Sequence, residues 1–177
     1  MRVISGTHRG RTLVAPRGRD TRPTSDRVRE ALFSILADVQ GLRVLDLFAG
    51  SGALAIEALS RGASSATLVD SAVGAIRAIR RNLDNLGLDA EVVQGPALRF
   101  LQTARNPARQ YDLVFLDPPY RQASSLGREL SEALVPILTG SARVVAESDR
   151  RDPLGLTLPL LDERRYGDTL IQIHAPR

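Results

Sequence analysis

From Arg43 onward, short apolar runs alternate with segments of helical period. The runs RVLDLFAG, ATLVD, AEVVQG, YDLVFLD and ARVVAES are rich in β-branched residues, which favour strands. Helix-period segments cover about residues 53–61, 72–86, 96–104 and 124–138, and glycines follow at the expected caps Gly62, Gly87 and Gly140. Such alternation predicts a doubly wound α/β fold with a mostly parallel sheet and helices on both faces.

The two ends of the chain depart from this alternation. Residues 2–15 read as a two-stranded ribbon, and residues 28–39 carry the apolar period of an amphipathic helix that ends at Gly41. Residues 157–176 predict two final strands joined at Tyr166-Gly167-Asp168. These strands should form an antiparallel edge of the sheet.

Positive charge is concentrated at the start of the chain. Residues 1–30 hold eight arginines against three acidic residues, a net charge of +5, whereas the remainder holds sixteen arginines and seventeen acidic residues, a net charge of −1. A compositional bias explains the absence of lysine but not this clustering, which predicts contact with a polyanion. We divide the chain into a basic ribbon and loop, residues 1–24, and a main domain with its leading helix, residues 25–177. We expect the main domain to fold without residues 1–20.

The composition excludes several classes of protein. Cysteine is absent, so disulfides, thiolate metal sites and a cysteine nucleophile are excluded. His8 and His174 lack the spacing of metal ligands, and we expect no metal. No uncharged apolar stretch approaches the length of a membrane span, and the N-terminus lacks the apolar core of a signal peptide. We therefore expect a soluble, cytoplasmic monomer with no membrane partner.

The strand ends are the places to look for a site, because open parallel sheets bind ligands beyond the carboxyl ends of their strands. The first strand leads into Asp46-Leu47-Phe48-Ala49-Gly50-Ser51-Gly52, whose glycines permit a tight turn before the next helix. The second ends at Asp70, which is suited to a ribose diol. The fourth ends in Asp117-Pro118-Pro119-Tyr120, an acid, a rigid corner and an aromatic ring. The fifth ends near Glu147, either a lining residue of a base pocket or a surface acid.

Two cofactors compete for the glycine loop. Gly50 to Ala55 matches G-x-G-x-x-A, and Asp70 stands where a dinucleotide fold keeps its ribose acid, so an oxidoreductase is one reading. A carboxylate at Asp46, however, would repel a pyrophosphate but could meet the ammonium of an amino acid. S-adenosylmethionine carries an amino acid and a ribose but no phosphate. It therefore fits the loop better.

The paired motifs D-x-F-A-G-S-G and D-P-P-Y resemble those of Rossmann-like class I methyltransferases that modify exocyclic amino groups of bases. The segment Arg22-Pro23-Thr24-x-Asp26-Arg27-Val28-Arg29-Glu30, after ISGTHRGR, is similar to one branch, the bacterial 16S ribosomal RNA guanine-N2 methyltransferases. The resemblance spans residues 2 to about 150. It implies S-adenosylmethionine as cofactor and ribosomal RNA as partner, within a small-subunit particle or an assembly intermediate.

The resemblance also implies a set of site residues. The cofactor contacts expected are Asp46, Phe48, Ala49, Gly50, Ser51, Gly52, Asp70, Ser71, Gln94, Ala97 and Leu98. The substrate contacts expected are Arg9, Arg11, Arg22, Thr24, Arg27, Arg29 and Tyr120. Pro96 departs from the family, which commonly has an acidic or amide residue there. Because proline has no N–H, Gln94 and the backbone of Ala97 or Leu98 would have to contact the adenine.

The Asp117-Pro118-Pro119-Tyr120 motif suits amino-group methylation. The Asp117 carboxylate and the Pro118 carbonyl can each accept one amino hydrogen, which turns the nitrogen lone pair toward the methyl group. The two prolines fix this arrangement, and Tyr120 offers a ring on which an extruded base can stack. Three other readings remain open: amino methylation of DNA, a dinucleotide-dependent oxidoreductase, and a catalytically silent RNA-binding protein. The motif could also be only the end of a strand.

Overall fold

In a computed structural model, helices and strands alternate along the chain. The structure describes residues 1–16, 26–104, 109–118 and 123–176. The elements are α1 (Asp26–Leu36), β1 (Arg43–Leu47), α2 (Ala53–Ser60), β2 (Ser65–Asp70), α3 (Val73–Leu86), β3 (Glu91–Gln94), α4 (Ala97–Thr103), β4 (Tyr111–Leu116), α5 (Ala123–Leu134), a 3₁₀ turn (Val135–Ile137), β5 (Leu138–Asp149), β6 (Leu160–Tyr166) and β7 (Thr169–His174).

The strands form one seven-stranded sheet in the order β3-β2-β1-β4-β5-β7-β6. Strands β1 to β5 pair in parallel, and β7 pairs antiparallel with both β5 and β6. The doubly wound α/β fold with an antiparallel C-terminal edge is therefore confirmed. The strand order reverses between β1 and β4, so a ligand crevice is expected beyond the carboxyl ends of these two strands.

The sheet has an apolar core on each face. Alternate residues of a strand point to opposite faces. Val44, Leu68 and Phe115 belong to the core that includes residues of α1, α2 and α3. Leu45 and Leu116 belong to the core that includes residues of α4 and α5. Side chains at the strand ends follow the same alternation, and this fixes which of them share a face.

Two element ends differ from the sequence predictions. Helix α5 stops at Leu134, and β5 begins at Leu138, so Gly140 lies within a strand and is not a helix cap. Pro136 explains the early end, because proline lacks an N–H and disfavours helical geometry in the preceding residue. Helix α1 likewise ends early, at Leu36 rather than at Gly41. The next residue, Ala37, leaves the helix with a left-handed φ of 56°.

The N-terminal segment, residues 1–16, is part of the main core. It folds back on itself as a short antiparallel ribbon, with a bridge between Arg2 and Thr12 and backbone hydrogen bonds from Val3 to Arg11 and from Leu13 to Met1. Val3 and Leu13 are buried and pack in the same cluster as residues of α1 and α2.

Buried polar side chains of α2 and α3 hold this segment in place. The Glu57 carboxylate, 1% exposed, accepts hydrogen bonds from the N–H groups of Ile4 and Ser5 at 2.7 and 3.0 Å. The Asn82 side chain accepts from the Val14 N–H at 2.8 Å and donates to the Val14 carbonyl at 3.0 Å. Removing the segment would leave these buried groups without their partners, which is costly.

The expectation that the domain folds without residues 1–20 is contradicted by this packing, because the segment supplies both apolar and polar contacts to the core. The division of the chain at residue 24 stays a prediction, since that boundary lies outside the described residues. Within the part of the chain that the structure describes, none of the helices has the length and apolar character that crossing a bilayer requires.

Two glycines of the N-terminal segment provide a matched test of its docking. Gly6 and Gly10 have nearly the same left-handed φ, 82° and 81°. A Cβ at Gly6 would meet the Ser60 carbonyl oxygen at 1.8 Å, whereas a Cβ at Gly10 would meet nothing within 4 Å. Gly10→Ala should cost about 1–2 kcal/mol for the backbone alone. Gly6→Ala should cost a further ~1–3 kcal/mol, the scale of overpacking.

Chemical denaturation of both variants measures this difference. Limited proteolysis shows whether residues 1–16 have detached from the core and become accessible to cleavage. Equal losses of stability in the two variants would contradict the docking described here.

Candidate active site

The loop after β1 has a constrained backbone. Phe48, a non-glycine residue, has a φ of 65°, and Gly50 and Gly52 have φ values of 58° and 78°. Left-handed backbone at a residue such as Phe48 is unusual outside functional sites. The Ala49 N–H donates to the Val69 carbonyl at 3.0 Å, which ties the loop to β2. The φ of Gly52 is left-handed, at 78°, and a Cβ on this residue would lie 2.8 Å from the Leu68 side chain, so glycine is favoured there.

Asp46 lies beneath this loop and is 2% exposed. Its carboxylate accepts a hydrogen bond from the Ala55 N–H in the first turn of α2, at 3.2 Å. Burial raises the pKa of Asp46 to about 7, although the Ala55 hydrogen bond opposes the rise and the Asp70 charge adds to it. Desolvation therefore exceeds the stabilisation that the helix terminus provides. A cation bound beside Asp46 would reverse this balance.

Asp70 joins two loops at the end of β2. One carboxylate oxygen accepts from the Gly50 N–H at 2.9 Å, and the other accepts from the Ala72 N–H at 2.8 Å. The acid expected to bind a ribose thus also fixes the glycine loop. Ser71, the next residue, is exposed at the same edge.

The end of β3 lies beside Asp70. Gln94 pairs with Asp70 in the parallel register, and the Gly95 N–H donates to the Asp70 carbonyl at 3.0 Å. Gln94 is exposed, Ala97 is buried and Leu98 is half-buried at the start of α4. The structure therefore brings the three expected adenine contacts to the edge that holds the glycine loop. Their roles stay predictions.

Asp117 and Pro118 follow β4 directly, next to the glycine loop. Leu47 pairs with Leu116, so the residues after β1 and β4 are neighbours. Burial raises the pKa of Asp117 well above its ordinary value, and the nearby charges of Glu147 and Asp46 raise it further. The structure thus collects several carboxylates at the point where the strand order reverses.

Four predicted site residues cannot be placed. Pro119, Tyr120, Arg22 and Thr24 lie outside the described residues.

The described arginines divide into two kinds. Arg9, Arg11 and Arg27 are exposed, and Arg11 donates to the Asn85 carbonyl at 2.8 Å. Arg29 was expected to contact RNA, but its side chain is fully buried, so that expectation is wrong. It donates to the Arg2 carbonyl and, at 2.9 Å, to Asp26. Its position in α1 points it into the core, where it holds the N-terminal segment.

Sequence reasoning missed Asn82, which connects two parts of the site. Its side-chain amide donates to the Ser51 carbonyl in the glycine loop at 2.9 Å, besides its bonds to Val14. Asn82 is 1% exposed and lies on α3 between buried Ile79 and Leu86. A polar residue within an apolar helical stripe was the available signal. Within the described ranges, no three potential metal ligands lie close enough to hold an ion.

Comparisons with known proteins agree with this architecture. The family described as "Conserved hypothetical protein 95" matches residues 1–175. A Bacillus subtilis protein, provisionally named rRNA methyltransferase YlbH, is 39% identical over 183 residues, covering 100% of both chains. The Escherichia coli K12 protein named Ribosomal RNA small subunit methyltransferase D is 44% identical over 124 residues, covering 69% of this chain and 61% of its own length. A solved structure of a hypothetical protein from Thermus thermophilus has a TM-score of 0.85 at 32% identity, with 99% of both chains covered.

The raised pKa of Asp46 predicts a pH dependence of stability. Because the folded protein keeps the Asp46 proton up to about pH 7, whereas an unfolded aspartate loses it near pH 4, stability falls as the pH rises through this window. Asp46→Asn retains an acceptor for the Ala55 N–H but has no proton to lose. The difference in melting temperature, variant minus parent, should therefore grow by several degrees between pH 4 and pH 7. For a protein of this size, about 1 kcal/mol of stability corresponds to 2–4 °C. A difference in melting temperature that stays constant from pH 4 to pH 7 would contradict the raised pKa of the buried Asp46 carboxyl group.

Proposed function

The chain belongs to the family described as conserved hypothetical protein 95, and from that premise we propose that it methylates the N2 amino group of a guanine in small-subunit ribosomal RNA, with S-adenosylmethionine as methyl donor. The observation that carries this proposal is the position of Asp117 and Pro118 beside the glycine loop, at the reversal of strand order. The names of the Bacillus subtilis and Escherichia coli relatives support an rRNA substrate.

The residues present fit a cationic cofactor. Asp46 and Asp117 are carboxyl groups whose pKa values are raised by burial and by nearby negative charge, so a bound cation would stabilise both. S-adenosylmethionine supplies an electrophilic methyl group on a sulfonium and also carries an ammonium. We assign Asp46 and the loop from Phe48 to Gly52 to its amino acid portion. Asp70 and Ser71 hold the ribose, and Gln94, Ala97 and Leu98 border the adenine.

The chemical step depends on the orientation of the guanine amino group. An exocyclic amine is a weak nucleophile because its lone pair is delocalised into the base. The Asp117 carboxylate and the Pro118 carbonyl accept its two hydrogens, which directs the lone pair toward the methyl group. Asp117 also stabilises the positive charge that develops on the nitrogen. From the sequence alone, we assign to Pro119 the rigid corner and to Tyr120 the ring on which the base stacks.

The environment of Asp46 argues against the dinucleotide reading. The Ala55 N–H in the first turn of α2, a type of donor that a pyrophosphate uses in dinucleotide folds, is bonded to the Asp46 carboxylate. Asp117 and Glu147 add further negative charge nearby. A doubly charged pyrophosphate would be repelled there, whereas a sulfonium would be attracted. DNA as the amino-group substrate stays the second candidate, because the chemistry at Asp117 does not depend on the sugar.

Exposed arginines on the N-terminal segment and α1 supply the contact to RNA. Arg9, Arg11 and Arg27 present guanidinium groups to solvent, and we include Arg22 and Thr24 in this surface from the sequence alone. The proposed partner is the ribosomal RNA of a small-subunit particle or an assembly intermediate. Mass spectrometry of nucleosides from methylated RNA and DNA tests the proposal directly. N2-methylguanosine from small-subunit rRNA is the expected product, and any other methylated nucleoside would overturn it.

Removing the Asp117 carboxylate should impair chemistry far more than cofactor binding. We expect Asp117→Ala to lower the single-turnover rate by on the order of 10² or more, as for loss of one preorganised electrostatic contact. Calorimetry should show cofactor affinity within a few-fold of the parent. Asp89→Asn, an exposed acid that precedes β3 at the opposite edge of the sheet, is the control and should methylate normally. A near-normal rate for Asp117→Ala would mean that the motif only ends a strand.

The arginines of the N-terminal segment should set the salt dependence of RNA binding. We expect the double variant Arg9→Gln, Arg11→Gln to reduce the slope of log K against log salt by roughly 0.7–0.9 for each phosphate that the protein no longer neutralises. The double variant Arg99→Gln, Arg128→Gln makes the same charge change on exposed positions of α4 and α5. Filter-binding titrations at several salt concentrations compare the two. Equal slopes would remove the segment from the RNA-binding surface.

A further inference from the structure

Glu147 is a buried carboxylate that the proposed chemistry does not use. It lies on β5 near its carboxyl end and is 4% exposed. Asp117 and Pro118 already account for both hydrogens of the amino group. Burial disfavours the charged form of a second acid beside them, so the place of Glu147 at this edge of the sheet calls for a physical explanation.

The sheet register places Glu147 beside Asp117. Leu116, the last residue of β4, pairs with Ala146 on β5, and Asp117 and Glu147 are the residues that directly follow this pair. In a parallel pair, residues at one register position point to the same face, and neighbouring strands lie about 4.8 Å apart. Phe115, paired with Val145 two residues earlier, points to that face as well.

The electrostatics of the site agree with this placement. The charge of Glu147 is the largest charge effect that raises the pKa of Asp117, ahead of Asp46. Because Glu147 is held in a strand paired on both sides, its position is fixed before a substrate arrives.

The edge of guanine offers a matching donor. Guanine carries an N1–H directly next to its N2 amino group, so it presents adjacent donors to the pocket. Adenine and cytosine have an unprotonated, accepting ring nitrogen beside their amino groups. A carboxylate next to the amino-group acceptors would therefore bind guanine and repel the other two bases. A buried acceptor of the site that is left without a donor is the main source of such discrimination.

We propose that Glu147 accepts the N1–H of the target guanine and so selects guanine over the other amino bases. The inference rests on the proposed function, because it assumes that Asp117 and Pro118 hold the N2 amino group. Glu147 is then a specificity-determining residue rather than part of the methyl transfer.

Replacing guanine by 2-aminopurine tests this assignment. 2-Aminopurine keeps the N2 amino group but has an accepting N1. Small-subunit rRNA is prepared with either base at the position where the wild-type product is mapped, by ligation of a synthetic oligonucleotide. Glu147→Gln turns part of the acceptor into a donor. The ratio of kcat/KM for guanine over 2-aminopurine should fall by on the order of ten- to a hundredfold in this variant, with 2-aminopurine methylated faster than by the wild type.

2-Aminopurine also lacks the O6 atom of guanine, and this affects the ratio for the wild type and for the variant alike. The change in the ratio between the two proteins therefore reports on N1 alone. Glu132→Gln, an exposed position of α5, is the matched control and should leave the ratio unchanged. Melting temperature and cofactor affinity of Glu147→Gln show whether the variant is folded. If it is not, the wild type alone decides: equal use of the two bases overturns the inference.

Two failures can be told apart. N2-methylguanosine from the wild type, together with an unchanged ratio in Glu147→Gln, overturns the role of Glu147 and leaves the proposed function intact. Methylation of a different base or atom by the wild type overturns the proposed function and this inference with it.

Discussion

Negative charge at the carboxyl edge of the parallel sheet is the constraint around which the site is built. The register of β1, β2, β4 and β5 places Asp46, Asp70, Asp117 and Glu147 on one face. Backbone N–H groups at the glycine loop and α2 stabilise Asp46 and Asp70, but burial still raises the pKa of Asp46. An apolar or anionic ligand would leave this charge uncompensated. A cationic ligand would compensate it, which is why the edge suits a sulfonium cofactor.

Much of the sheet could be predicted from the sequence, because strands β1 to β5 are short apolar runs bounded by helices of clear period. The sequence also indicated that Asp46, Asp70 and Asp117 would meet, since parallel strands present their carboxyl ends at one edge. The helical period already placed Arg29 with Leu32, Phe33 and Leu36 on the buried face of α1, but its charge favoured the interpretation that it is exposed to solvent. Pro136 indicated that α5 would end early, but the helical spacing of apolar residues continues to Leu138 and favoured a longer helix.

The N-terminal segment has two functions that its charge alone conceals. Its arginines at positions 9 and 11 face solvent, whereas its backbone satisfies buried Glu57 and Asn82. Sequence composition could predict only the exposed arginines, because every non-proline residue has a backbone N–H and composition does not show which of these groups bind buried side chains. Asn82 also bonds the Ser51 carbonyl, so the surface that we propose meets RNA and the loop that we propose holds the cofactor share one buried side chain. A displacement of the N-terminal segment would therefore also disturb a hydrogen bond of the glycine loop.

The docking of residues 1–16 has a consequence for how the protein is made. The segment is synthesised before its hydrogen-bonding partners, which lie far along the chain: Thr7 bonds Ser60, and Arg11 bonds Asn85, 74 residues later. During translation it must wait, unpaired, until α2 and α3 have emerged. Contacts of such long sequence separation slow folding, because the intervening chain has to be closed into a loop before they form. Docking of the N-terminal segment is therefore a late event in the folding of the nascent protein.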